Sequence, residues 1–97
     1  MKSLAFEWDP KKAAANARKH GVTFEEARTA FFDENAMQFH DPDHSDDEDR
    51  FILLGLSVRL RAVVVCHCFR RTETSIRIIS ARTANRAEER AYWEMRR

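Results

Sequence analysis

The sequence contains few of the residues that interrupt, cross-link or anchor a chain. Its 97 residues include only two Gly and two Pro, a composition that argues against a disordered protein. No apolar run approaches the length of a membrane span, and the stretch Met1–Trp8 lacks the apolar core of a signal peptide. We therefore expect residues 1–97 to form one cytoplasmic domain.

Cysteine is also scarce, and the two that occur lie close together. Cys66 and Cys68 flank His67 in a run that is typical of a strand, where residues two apart point to the same face. Cys-x-Cys is not a usual zinc spacing, and a metal site would need ligands from elsewhere in the chain. We interpret the pair as buried reduced thiols. A metal-binding regulator that uses Cys66, His67 and Cys68 is the alternative.

Lysine is absent from the second half of the chain, and the charge is divided between the halves. Residues 1–49 hold six basic and twelve acidic side chains, whereas residues 50–97 hold eleven Arg and four Glu. The planar guanidinium group suits two-point binding of phosphate or carboxylate. The second half is therefore suited to a phosphate-bearing ligand, unless the two halves neutralise each other in the fold.

One short stretch concentrates the acidic residues. Six of the nine residues in 41–49 are Asp or Glu, and such a run repels itself and favours solvent. It lacks the Gly and the spacing of an EF-hand calcium loop. We interpret it as a loop, or as a contact surface for a basic partner, rather than as a metal site.

Capping signals predict three helices. Asp9 and Pro10 open the first helix, which runs from Lys11 to about His20, and Gly21 closes it in a left-handed conformation. Thr23-x-x-Glu26 and Asn85-x-x-Glu88 are possible capping boxes, in which each side chain binds the other residue's backbone N–H. They open a second helix that ends at residues 33–35 and a third over residues 86–96. The third helix has a weak apolar side made by Ala87, Ala91 and Met95.

Alternation of apolar and polar residues predicts five strands. They cover Leu4–Trp8, Ala36–His40, Arg50–Ser57, Ala62–Phe69 and Ser75–Ala81. The short connections between the last three strands favour hairpins. The element order β-α-α-β-β-β-β-α predicts an α+β domain, an antiparallel sheet with helices packed on one face.

The sequence lacks the motifs of the familiar enzyme classes, but it offers a His and several Arg for RNA cleavage. It has no Gly-rich phosphate loop, no His-Glu-x-x-His and no nucleophile elbow. Alternation places Arg77 on the face that the helices leave open, with His67 beside it and Arg82 just past the strand end. A His can take the proton of a ribose 2′-OH or protonate the leaving oxygen, while Arg side chains clamp the phosphate without a metal ion. The alternative is that His67 and Arg77 are ordinary exposed residues of their strands.

Other residues are candidates for weaker reasons. His20 is a further catalytic candidate, although its position at a helix C-terminus is explained equally well by the helix dipole. Tyr92 can stack on bases. The predicted RNA-contacting residues are Arg50, Arg70, Lys19 and Tyr92.

Ordered motifs along almost the whole chain resemble the BrnT family of toxins. The matching segments, in chain order, are Phe6–Lys12, Asn16–Val22, Phe24–Ala27, Phe31–Asp33, Asp41–Ser45, Glu48–Phe51, Gly55–Ser57, Ile76–Arg82 and Glu89–Tyr92. Each segment alone is weak, but the ordered set is specific.

The resemblance implies a RelE-like fold and an endoribonuclease that stops translation without a metal ion or other cofactor. It also implies neutralisation by a BrnA-type antitoxin with a ribbon-helix-helix part, in a 2:2 complex that represses its own operon. DNA would then be bound only through the antitoxin. The alternative is a catalytically inactive module that only holds its antitoxin and helps to autoregulate the operon.

Overall fold

The computed structural model describes residues 3–41 and 49–96, and within them the chain forms five strands, three α-helices and one 3-10 turn. The elements, in chain order, are β1 (Ala5–Glu7), α1 (Pro10–His20), α2 (Phe24–Thr29), the 3-10 turn Ala30–Phe32, β2 (Met37–Asp41), β3 (Arg50–Leu56), β4 (Ala62–Phe69), β5 (Ser75–Thr83) and α3 (Arg86–Met95). The sequence did not predict the 3-10 turn. The expected acidic loop over 41–49 falls mostly on residues 42–48, which lie outside the described residues.

The predicted ends of α1 are confirmed. The Asp9 carboxylate accepts a hydrogen bond from the Lys11 backbone N–H at 2.8 Å, and Pro10 is the first helical residue. Gly21 ends the helix at φ 70°, a left-handed conformation that suits glycine.

The predicted capping box of α2 is only half present. The Thr23 hydroxyl accepts from the Glu26 backbone N–H at 3.0 Å. The Glu26 carboxylate does not return to Thr23 but accepts from the Arg61 guanidinium at 2.7 and 2.8 Å and from the Ser57 hydroxyl at 2.7 Å. A charge-assisted, two-point bond to Arg is stronger than a bond to a neutral backbone N–H, so Glu26 binds Arg61 and not the Thr23 N–H.

The sheet is mixed, so the prediction of an antiparallel sheet is wrong at one edge. The described strands are ordered β1-β5-β4-β3-β2, and β1 pairs with β5 in parallel while the other pairs are antiparallel. A parallel pair needs a long crossover connection. Everything between β1 and β5 serves as that connection, which is why local patterns along the chain did not indicate the pairing.

The helices lie on both sides of the sheet, which corrects the expectation of one covered face. On one side, which we call the inner face, α1, α2 and the residues around them pack on the sheet. The buried residues of this core are Val22, Phe24, Ala27, Ala30, Leu53, Val63, Val65, Ile76, Ile78 and Ala81. On the opposite side, the outer face, α3 covers Leu54, Ala62 and Val64 with the ring of Tyr92.

Helix α3 uses a different buried side from the one that the sequence indicated. Ala87 and Ala91 are exposed and Met95 is 70% exposed, whereas Tyr92 is 1% exposed. An aromatic ring buries much more apolar area than a methyl group, and this difference favours the orientation that covers Tyr92.

An irregularity in β5 changes which residues share a face. Cys66 pairs with Ser80 but His67 pairs with Ile78, so the register shifts by one residue and Ile79 is left between them. Such a β-bulge shifts the alternation of the strand beyond it. As a result Ser80 lies on the outer face, and Arg82 lies within β5 rather than past its end.

In the part of the chain that the structure describes, no helix combines the length and the apolar character that crossing a membrane would require.

Candidate active site

A row of residues crosses the outer face of the sheet, one from each strand. From one edge to the other it consists of Asp41, Arg50, Cys68, Arg77 and Glu7, each directly paired with the next in the strand registers. We call this set the charged row. Paired residues on neighbouring strands have Cβ atoms about 5 Å apart, so these side chains are close neighbours.

The centre of the charged row has two arginines on either side of a cysteine. Strands lie about 4.8 Å apart, so the Cα atoms of Arg50 and Arg77 are separated by about 10 Å. The Cys68 side chain between them is short and fully buried, and both arginines are partly exposed. Two flexible guanidinium groups over such a floor can converge on one phosphate group.

Arg82, a predicted catalytic residue, is held by α3. Its two terminal nitrogens donate to the two carboxylate oxygens of Glu88 at 2.8 and 2.9 Å, and this ion pair raises the pKa of Arg82 and lowers that of Glu88. Glu88 also completes the capping box with Asn85, which confirms that prediction. In this arrangement Arg82 fixes the start of α3 against β5.

His67 does not lie beside Arg77, so that expectation is wrong. It is fully buried on the inner face, with its ring centroid 4.8 Å from that of Phe31, 5.5 Å from Phe69 and 6.2 Å from Phe51. This burial lowers the pKa of His67 to about 4. The alternation of His67 with Val63 and Val65 already indicated the apolar face, and Arg77 instead pairs with Cys68.

Both ring nitrogens of His67 are used inside the protein. Nδ1 lies 3.1 Å from the Val65 carbonyl oxygen, and Nε2 lies 3.0 Å from the side-chain amide of Gln38. Both partner atoms, the Val65 carbonyl oxygen and Gln38 Oε1, are acceptors, so the neutral ring donates its single N–H to one of them. The ring has no nitrogen left for a substrate on the outer face.

The two cysteines share a face, as expected, but His67 is not with them. Cys66 and Cys68 both lie on the outer face and form no disulfide, Cys68 buried and Cys66 half-buried. Because the His67 ring points to the opposite side of the sheet, these residues cannot bind one metal ion together. Burial is the largest effect on Cys66 and raises the pKa of its thiol. In residues 3–41 and 49–96 no three His, Cys, Asp or Glu side chains form a metal-binding group.

The expectation that Tyr92 stacks on bases is wrong. Its ring is buried under α3, and its hydroxyl donates to the Asp33 carboxylate at 2.5 Å. Burial, together with the nearby Asp33, raises the pKa of Tyr92 to about 12. The neighbouring Trp93 is 48% exposed and is the aromatic side chain that α3 offers to solvent.

The remaining predicted residues are divided by the sheet. Lys19 and His20 lie at the end of α1, which packs against the inner face, so they are not brought together with Arg77. Arg70 follows β4 and its Nε lies 3.8 Å from a carboxylate oxygen of Glu7, at the β1 end of the charged row. Sequence reasoning missed Glu7, although its place between Phe6 and Trp8 indicated a side chain turned away from an aromatic face.

Comparison with known proteins assigns the family. The model of the family described as the ribonuclease toxin BrnT of type II toxin–antitoxin systems matches residues 8–88. The chain belongs to the BrnT toxin family. It is therefore a ribonuclease toxin, and membership of a type II system implies an antitoxin partner.

A solved BrnT structure has a similar fold. The crystal structure of the Brucella abortus ribonuclease toxin BrnT matches with a TM-score of 0.63 and 22% sequence identity, over 87% of this chain and 100% of that one. At this identity the match concerns the fold. No curated protein sequence matches the chain.

Proposed function

We propose that this BrnT-family chain is a metal-independent endoribonuclease of RelE-like fold, which stops translation by cleaving RNA at the charged row. The observation that carries the proposal is the placement of Arg50 and Arg77 on either side of the buried Cys68. Family membership supports the ribonuclease activity, and the arginines supply the charge that a phosphate needs.

Arg50 and Arg77 have the chemistry to bind the phosphate at which the RNA is cut. Each guanidinium group donates to non-bridging phosphate oxygens and stabilises the negative charge that develops as the 2′-oxygen attacks. Arg70, at the end of β4, extends the positive surface along the path of the RNA backbone. Arg82 positions α3 through Glu88, and the proposal gives no step to His67 or His20.

The test is RNA cleavage by the purified chain without antitoxin and with a chelator present. We expect Arg77→Ala and Arg50→Ala each to lower kcat/KM by about 100-fold or more, because each removes a donor from the developing charge. Arg28→Ala is the matched control, since Arg28 is an exposed arginine on α2. Wild-type rates in both variants, or loss of activity in chelator alone, would contradict the proposal.

The partner that we propose is a BrnA-type antitoxin with a ribbon-helix-helix part, in a 2:2 complex that binds DNA only through the antitoxin. The type II family supports an antitoxin of some kind. Co-expression followed by a measurement of the mass of the purified complex tests both identity and stoichiometry.

A catalytically inactive module that only holds its antitoxin is the second candidate. The observation in its favour is the burial of His67, which leaves the charged row without a histidine base. It predicts that the purified chain leaves RNA intact and still binds the antitoxin tightly.

A further inference from the structure

Strand β1 is short, yet its side chains are firmly placed. It has three residues and pairs in parallel with β5, and the Ala5 N–H donates to the Thr74 carbonyl at 2.8 Å. The rings of Phe6 and Trp8 pack toward the inner side, 5.3 Å from Phe31 and 5.8 Å from Phe24 respectively. Because neighbours along a strand alternate, these two anchors turn Glu7 to the outer face.

Glu7 ends the charged row directly beside Arg77. The two residues are paired in the β1–β5 register, and the carboxylate is more than half exposed. The other cation that faces it is Arg70, whose Nε lies 3.8 Å from the nearer carboxylate oxygen. That distance is too long for a hydrogen bond, so this contact leaves the oxygen lone pairs open to another donor.

The phosphate clamp of Arg50 and Arg77 needs a proton acceptor beside it. Cleavage begins when the ribose 2′-OH loses its proton, and an arginine is always protonated. His67 cannot take the proton, since it lies on the inner face with both nitrogens in use. At the far end of the row, Asp41 is half-buried, whereas the longer Glu7 side chain is open to solvent.

We propose that Glu7 is the general base of the ribonuclease reaction, an assignment that rests on the function proposed above. The Glu7 carboxylate takes the 2′-OH proton, the 2′-oxygen forms a bond to phosphorus, and the bond from phosphorus to the 5′-oxygen breaks. The 5′-oxygen leaves and takes a proton from water. The products are a 2′,3′-cyclic phosphate and a 5′-hydroxyl, and no metal, oxidant or reductant takes part.

The first test compares Glu7→Gln with wild type under saturating RNA. We expect kcat to fall by about 100-fold or more with little change in KM, because a general base contributes about 10²- to 10⁴-fold. Glu25→Gln, at an exposed position of α2, is the matched control and should cleave at the wild-type rate.

A modified RNA distinguishes a general base, which removes the 2′-OH proton, from a general acid that only protonates the leaving oxygen. When sulfur replaces the bridging 5′-oxygen, the thiolate leaves without needing a proton. Glu7→Gln should remain slow on this RNA because removal of the 2′-OH proton is still impaired. Recovery to the wild-type rate, or wild-type cleavage of ordinary RNA by the variant, would overturn the assignment.

Arg77→Ala separates this inference from the proposed function. If the wild type cleaves RNA, and if Arg77→Ala is slow while Glu7→Gln is not, then only the assignment of Glu7 fails. If wild type leaves RNA intact, the proposed function fails and Glu7 has no such role.

Should Glu7→Gln fail to fold by circular dichroism, Glu7→Asp keeps the charge, and we expect it to retain folding with a reduced kcat.

Discussion

At the scale of single residues, the two sides of the sheet impose different chemistry. His67 and Arg77 come from neighbouring strands, yet one side chain is enclosed by phenylalanine rings and the other is partly exposed on the charged row. The His67 ring is therefore a neutral packing group, and polar chemistry is left to the outer face.

The first residue-scale prediction concerns the stability contributed by neutral His67. Its folded pKa of about 4 lies below the unfolded value of 6.5, so the unfolded state binds the proton first as pH falls. Wild type should therefore lose about 3 kcal/mol from this group between pH 7 and pH 4. His67→Phe removes the titrating group, and urea unfolding at several pH values should show a flatter pH dependence.

The same variant tests whether His67 takes part in cleavage. Because its nitrogens face away from the charged row, RNA cleavage by folded His67→Phe should stay within about threefold of wild type. A loss of about 100-fold, the size expected for a missing acid or base, would show that His67 reaches the substrate.

At the scale of helices and strands, the attachment of α3 depends on a half-buried acid. Asp33 follows the 3-10 turn and accepts from the Tyr92 hydroxyl at 2.5 Å and from the Leu56 N–H at 2.8 Å. Burial alone would raise the pKa of Asp33, but these hydrogen bonds outweigh burial and lower it. One carboxylate thus joins the 3-10 turn, β3 and α3.

Removing the hydroxyl should loosen this junction. Tyr92→Phe loses a hydrogen bond to a charged group, and we expect the free energy of unfolding to fall by about 1–3 kcal/mol at pH 7. The difference from wild type should shrink as pH falls through the lowered pKa of Asp33, since the protonated acid no longer holds the contact. Equal stability of the two proteins at pH 7 would contradict this account.

The helices and strands also show what could be predicted from sequence. Caps such as Asp9, Gly21 and Asn85 are local signals, and the structure confirms them. The Glu26–Arg61 ion pair joins residues far apart in sequence, so the capping pattern at Thr23 was only half right. The parallel pairing of β1 is non-local for the same reason.

At the scale of the whole molecule, the sheet separates two regions of different chemical character. The inner face carries α1, α2 and the aromatic cluster around His67, whereas the outer face carries the charged row with α3 at one end. The acidic and basic halves of the chain partly neutralise each other, as the Glu26–Arg61 and Glu7–Arg70 contacts show. The charged row has an acid at each end, Asp41 and Glu7, outside its two arginines.

The site was harder to predict than the fold because it depends on register across all the strands. Arg77 was expected on an open face from alternation alone. Glu7, directly beside it, and Arg50, on the far side of Cys68, lie 70 and 27 positions earlier in the sequence, and only the strand pairing brings them into one row. The one-residue bulge at Ile79 places Ser80 on the face opposite to the one expected from alternation.

The most direct test of the charged row is single-turnover RNA cleavage by the double variant Arg50→Ala/Arg77→Ala, with the two single variants beside it. Since both arginines are proposed to hold one phosphate, the two losses should not be additive, and the double variant should be at least about 100-fold slower than wild type. Cleavage by the folded double variant at the wild-type rate would contradict the placement of the active site.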